Sequence, residues 1–467
     1  MLGAGKNPRP RGGSVSMGKS PLLSLKLAEF VEGLHYEDLP RETIRMARLA
    51  FLDWLGSALR GSREQPALMV LSVLSAQGGT PQATLLSSKE RTSALSASLG
   101  NGVASHIMEL DDVHRASIVH IGASVIPAAL AAAEMLHADG RRLIEAIVTG
   151  YETAARVGEA VTPAHYYFFH NTGTCGTFGA CAAAGKLLGL DRRQMVWALG
   201  NAGTQAAGLW EFLVDGAMSK HLHPGKAAQN GLLAALLAGE GFTGASAILE
   251  GDRGFCRAMA SEFNLARITD GLGKPPYKVE ENSFKIHSSC RHTHPAIDVT
   301  IDLAARHAID PSLVSGIVVR TYRTAVQITD NPAPGTIYAA KFSLPFCVAL
   351  ALVRGSCGIE DFSEANLHDA QIRDLMGRVR LVVDDDLDAA HPAKWAVAVE
   401  ITTRTRETYS GRTDFPRGDP ENPADEAELI AKFRRMAISS RDGQTVDRLL
   451  ESVMNLENVE DCARLPL

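Results

Sequence analysis

The chain has 467 residues, 45% hydrophobic and 21% charged, a balance that fits a folded protein of more than one domain and excludes wholesale disorder. A formal charge of −6 offers no basic stripe for nucleic acid or an anionic membrane. The seven cysteines are scattered and never form a C-x-x-C pair, which excludes a disulfide framework or a zinc knuckle and fits a reduced, cytoplasmic setting.

In chain order, residues 1–20 are rich in Gly, Pro, Ser and basic side chains without an apolar run, so they read as a disordered leader rather than a secretory signal. Residues 21–280 read as a helical domain. Pro40 heads a segment where Ile44, Ala47, Phe51, Leu52 and Leu55 recur at helical spacing. Further helices are predicted over Ser124–Ala138, Leu143–Ala160, Thr177–Leu188, Arg193–Gly208 and Lys226–Ala238. Their crowding with Ala and Gly predicts closely packed, central helices.

Residues 281–415 read as an α+β lid domain. A helix over Pro295–His307 precedes strands over Gly316–Arg323, Val379–Asp384 and Trp395–Arg404, the last continuing toward Thr413. Pro416–Pro423 reads as a linker, and 416–467 as a return to the helical domain. The fold class is mainly α with an α+β second domain.

Four clusters carry ionisable residues between apolar helices: Asn101–His114 with His120, His170–Gly179, Ser219–Gly225 and Phe284–Pro295. Each precedes a predicted helix, whose first N–H groups favour anions. Lys220, Lys285 and Arg291 add cations, so a carboxylate ligand fits, while His120 and His170 are the natural proton carriers because imidazole titrates near neutrality. The bland readings are helix-boundary roles for Asp111 and Asp112, satisfied core positions for the histidines, and ordinary ion pairs for Lys220 and Arg291. A metal is the sharper rival, since Asp111, Asp112, His114 and His120 lie close together and H-x-H pairs occur at His221/His223 and His292/His294. H-E-x-x-H is nevertheless absent. No nucleophile elbow, P-loop or dinucleotide fingerprint is present.

In the order and spacing of Glu109-Leu-Asp-Asp112, His120, His170–Gly179, Lys220-His-Leu-His-Pro-Gly225, Lys285–His294 and Lys341-Phe-Ser-Leu-Pro345, the chain resembles the MmgE/PrpD family. That family includes 2-methylcitrate dehydratase, cis-aconitate decarboxylase and iminodisuccinate epimerase. The resemblance implies a homodimer, a site in the cleft between domains, and no metal or organic cofactor. It implies catalytic roles for Asp112, His120, His170 and Lys220. Substrate contacts are implied for Glu109, Asp111, His223, Lys285, Cys290, Arg291, His294 and Lys341.

The chain departs from the decarboxylases of that family at Cys290, where they carry histidine, and at Val113, where they carry threonine. Phe346 replaces a common tyrosine. The expected activity is a lyase abstracting a proton next to a carboxylate of a small di- or tricarboxylate, foremost a 2-methylcitrate-type hydro-lyase. Decarboxylation and epimerisation share the same half-reaction, and a non-catalytic carboxylate binder is the alternative of a different class.

Overall fold

The computed structural model describes residues 22–467, so the leader read at 1–20 lies outside the described residues. Helices Arg41–Gly61, Ala94–His106, Ile121–Leu136, Gly140–Val161, Asn171–Leu188 and Ser219–Gly239 build the helical part, with Asn171–Leu188 at its centre. One continuous apolar core runs from Leu27 to Phe284 and takes in Leu429, Phe433, Leu449 and Cys462. The C-terminal helices Glu426–Ala437 and Gly443–Met454 therefore pack on the first half of the chain, with the earlier helix lying along Arg41–Gly61.

Small residues let these helices approach. A Cβ on Gly225 would stand 2.5 Å from the Leu99 carbonyl oxygen, and one on Gly102 2.8 Å from the Gly225 Cα. The Ala94–His106 and Ser219–Gly239 helices thus meet backbone to backbone, bringing the segments that carry Glu109 and Lys220 side by side.

The second core gathers Ala296, Ile297, Leu303, Val319, Leu344, Phe346, Leu350, Val399 and Ile401. It lies between the helices His294–His307 and Leu344–Arg354 and a four-stranded sheet. The strand order is Val379–Val383, Val314–Thr321, Val397–Thr403, Thr408–Thr413, with the first pair parallel and the rest antiparallel. The Val397–Thr403 strand alternates buried and half-buried positions, the period-two signature of a strand with one face on a core.

Several boundaries differ from the sequence reading. The helix predicted from Thr177 starts at Asn171 and takes in the Gly-rich segment after His170, where a Cβ on Gly173, Gly176 or Gly179 would meet Ala207, Ser124 or Ala154. Pro224 lies inside the Ser219–Gly239 helix, so Lys220 and His223 occupy its first turns rather than a preceding loop. The helix predicted to Gly208 stops at Gly203. A hairpin, Ala83–Leu85 with Glu90–Thr92, interrupts the helical half. Pro416–Pro423 is more than a linker, since Asp419 within it is buried and ion-paired. Among the described residues no helix is long and apolar enough to cross a membrane.

Candidate active site

The acidic loop between Ala94–His106 and Ile121–Leu136 is held from two directions. Val113–His114 pairs antiparallel with Asn282–Ser283, tying the loop to the chain that enters the second domain. The Lys432 ammonium donates to the Leu110 carbonyl at 2.6 Å and to Asp53 at 2.5 Å, anchoring it from the C-terminal return. Glu109 sits at φ +57° and Ile118 at φ +53°. Left-handed backbone at a β-branched residue is uncommon, and such strain gathers where a site demands it.

From this loop the buried Glu109 carboxylate meets two buried ammonium groups. Lys220 donates to Oε1, and Lys285 lies 3.3 Å from Oε2 and 3.0 Å from the Glu109 carbonyl oxygen. Burial alone would raise the Glu109 pKa, but the charges of Lys220 and Lys285 outweigh it and hold the carboxyl well below its usual range. Lys220 also lies 4.7 Å from the centre of the Phe342 ring.

His120 and His170 stand at the N-caps of Ile121–Leu136 and Asn171–Leu188, and neither ring caps its helix, so both are available to the cavity. The His120 backbone N–H donates to Thr172 Oγ1 at 3.0 Å, which locks the two helix starts together. The His120 and His170 rings are 6.2 Å apart, with His106 between 4.8 and 5.5 Å from each. Burial lowers the His120 pKa to about 4 against the pull of Asp111, and burial with His223 nearby lowers His170 well below its ordinary value. Both imidazoles are consequently neutral near pH 7, the form that accepts a proton.

The opposite wall comes from the second domain. Arg291 donates to the buried Asp419, to the Arg417 carbonyl at 3.1 Å and to His294 Nδ1 at 2.9 Å. Cys290 is buried, and burial raises its thiol pKa. His292, 2.7 Å from the Tyr322 hydroxyl, stacks on Trp395 with ring centres 4.4 Å apart.

Glu109, His120, His170, Lys220, Lys285, Cys290 and Arg291 thus line one cavity, joined by Val113, Ile118, Tyr166, Trp210, His292, Phe342 and Trp395. Only about 20 Å³ remains free between them, room for one water.

The remaining sequence candidates lie behind this wall. Asp111 is buried between His106 Nδ1 (2.7 Å) and His120 Nδ1 (3.2 Å), and steers the imidazoles. Asp112 accepts from Tyr151 (2.5 Å), Asn282 (2.7 Å) and the Gly122 N–H (3.1 Å), so it braces the loop instead of facing the cavity. Burial and the neighbouring Asp53 raise its pKa to about 7. A Cβ at residue 122 would sit 2.6 Å from the Asp112 carboxylate, which explains the glycine.

His223 reaches His170 at 3.1 Å without lining the cavity, and His294 is spent on Arg291 and the Ser289 carbonyl. Lys341 turns to the Met108 carbonyl at 3.0 Å in a separate pocket beyond Phe342, where burial lowers its pKa to about 8. The aromatic members Tyr166, Trp210, Phe342 and Trp395 give no sequence signal, because an isolated aromatic reads as core.

His106, Asp111 and His120 also offer one ligand atom each within 4.8 Å of one another, as do His114, Glu159 and Glu281. In the first group the His106–Asp111 contact is already a hydrogen bond at 2.7 Å.

A helical domain, an α+β partner and a buried histidine–lysine–carboxylate cavity between them define a class of enzyme-like clefts, and the chain comparisons name it. Residues 25–267 match the MmgE/PrpD N-terminal domain and residues 287–458 the MmgE/PrpD C-terminal domain; the chain belongs to the MmgE/PrpD family. It is 27% identical over 473 residues to a cis-aconitate decarboxylase of Aspergillus terreus, covering 94% of each chain. It is 27% identical over 457 residues to the cis-aconitate decarboxylase of Homo sapiens, covering 94% of this chain and 92% of that one. A cis-aconitate decarboxylase-like protein, oryM, of Aspergillus oryzae is 26% identical over 469 residues, covering 95% and 96%.

Proposed function

We propose that the protein is a cofactor-independent lyase that removes a proton next to a carboxylate of a small organic acid. The observation supporting it is the convergence of two neutral imidazoles with Lys220, Lys285 and Arg291 on one buried cavity. Lys285 and Arg291 hold the substrate carboxylate. His120 or His170 accepts the α-proton, and the electron pair left behind enters an enediolate-like dianion. Lys220, relayed by Glu109, supplies the facing positive charge. One such fixed donor is typically worth about 2.7–4 kcal/mol of barrier, and a positioned acid or base about 10²–10⁴-fold in rate.

In the hydro-lyase reading the pair forms the alkene as the β-hydroxyl leaves, taking a proton from the Lys220 ammonium to depart as water. The expected substrate type is a 2-methylcitrate-like acid. The second reading is decarboxylation, favoured by the names of the relatives at near-complete coverage. There the C–C bond to a carboxylate breaks, CO₂ leaves, and Lys220 protonates the carbanion. The protein acts as a cytoplasmic homodimer in either reading.

Incubating the protein separately with 2-methylcitrate and cis-aconitate, and following alkene absorbance and CO₂, tests the two. Alkene without CO₂ supports dehydration, and CO₂ from cis-aconitate supports decarboxylation. Inertness toward both, with no α-proton exchange, removes the reading.

A further inference from the structure

Three stretches of chain separate the cavity from a second pocket of about 510 Å³, and each sets adjacent residues on opposite sides. Glu109, Lys220 and Phe342 line the cavity, whereas their neighbours Met108, His221 and Lys341 line the pocket. The two spaces stand back to back with no lining residue in common. The pocket has the volume of a small-molecule site, and no step of the proposed reaction uses it.

What faces this pocket is a set of unused donors. Lys341, 6% exposed, gives one N–H to the Met108 carbonyl at 3.0 Å and has no carboxylate partner among the described residues. Glu109, on the cavity side of the wall, is already met by Lys220 and Lys285. Burial lowers the Lys341 pKa to about 8, which leaves the ammonium charged at neutral pH. His221 is 4% exposed, and its Nδ1 has no hydrogen-bond partner among the described residues. Burial, with His106 nearby, lowers its pKa to about 3, so the ring is neutral and Nδ1 is free to carry the proton. Tyr338 meets that ring edge-on with centres 5.2 Å apart, and its shielded hydroxyl is likewise unpartnered.

Buried polar groups without partners are destabilising, so donors turned to one space call for an acceptor. The other ionised residues of the lining, Arg60 and Glu64, pair with each other. The pocket therefore holds one positive charge without a counter-ion. Water would satisfy the hydroxyl and the imidazole but leave that charge unmet, whereas a carboxylate satisfies all three. One cation beside two neutral donors suits a carboxylate better than a phosphate dianion. Ile107, Ile337, Ile359 and Phe362 line much of the remainder and suit a carbon skeleton.

We propose that this pocket is a second organic-acid site, in which Lys341, Tyr338 and His221 hold a carboxylate on the far side of the wall that carries Glu109, Lys220 and Phe342. It is separate from the lyase cavity and stands without the lyase reading.

Calorimetric titration of the full chain with succinate tests this, and two sites are expected. Tyr338→Phe removes only an unpartnered hydroxyl and should fold as wild type. It should weaken one site about tenfold to a hundredfold, and Lys341→Met should abolish the same site. Lys220→Ala should remove the other and leave the Tyr338-dependent one intact. A single site that needs Lys220 and is indifferent to Tyr338→Phe and Lys341→Met overturns the proposal and leaves the lyase reading standing. A single site that needs Tyr338 and not Lys220 supports the pocket and counts against the cavity as a carboxylate binder. Inorganic phosphate binding more tightly than succinate at the Tyr338-dependent site overturns the assignment to carboxylates, and no succinate binding at all overturns the proposal outright.

Discussion

His120 and His170 reach the cavity from the N-caps, and Lys220 from the first turn, of helices that are themselves core elements, whereas Lys285 and Cys290 reach it from irregular chain and Arg291 and His292 from the short 3-10 helix Arg291–Thr293. The helical wall is fixed by packing: Gly102 and Gly225 let two helices touch, and Thr172 ties two helix starts together. The opposite wall is fixed by charge, with Arg291 held by Asp419 from a distant part of the chain. Removing a cavity side chain of the first wall should therefore cost catalysis with little loss of fold, whereas removing the charge that holds the second should cost both.

The largest effect is expected at Lys220. Lys220→Ala should lower kcat about 10²–10⁴-fold while the thermal midpoint moves little, because Glu109 keeps Lys285 as a partner. A variant with near wild-type kcat breaks the assignment. Asp419→Ala comes next. It strips Arg291 and Arg115 of a buried partner, and removing one member of such a pair costs about 3–5 kcal/mol. A chemical-denaturation midpoint unchanged from wild type would show that charge does not hold this wall.

The pH profile sharpens the same contrast. An imidazole base works when deprotonated, so activity is present above its pKa and lost as pH falls through it. With His120 lowered to about 4, kcat/KM should stay level from pH 7 to about pH 5.5 and decline below it. A decline centred near 6.5, the ordinary imidazole value, would place an exposed histidine in the role. Gly225→Ala should cost about 1–3 kcal/mol of stability through overpacking, since the new Cβ meets a backbone oxygen. A neutral result would mean the helices can separate freely. The smallest effect is expected from exhaustive chelation, which should leave turnover unchanged; its loss, with recovery on adding a divalent metal, would reassign His106, Asp111 and His120 as ligands.

The same division governs what can be read from the sequence. Helices, strands and the change near residue 280 follow from periodicity, which is local, and the clusters around His120, His170 and Lys220 are visible as polar islands between apolar helices. The role of Asp112 is not. Adjacent carboxylates look alike in a string, yet Asp111 turns toward His106 and His120 while Asp112 turns to Tyr151 and Asn282, 39 and 170 residues away. Asp419 is hidden for the same reason, inside a segment whose Pro, Gly and Asn read as a linker. Lys341 reads as a substrate contact by resemblance, and the structure turns it to a second pocket because Phe342, its neighbour, takes the place in the wall.

The central claim is that imidazole and ammonium groups on one cavity move a proton at carbon next to a carboxylate. Solvent-deuterium incorporation at the α-carbon of 2-methylcitrate and cis-aconitate, read by NMR, tests it most directly. Incorporation catalysed by the wild type and abolished in folded His170→Ala and Lys220→Ala is the predicted result. Exchange that persists in both variants, or none on any of these acids with the wild type, contradicts it.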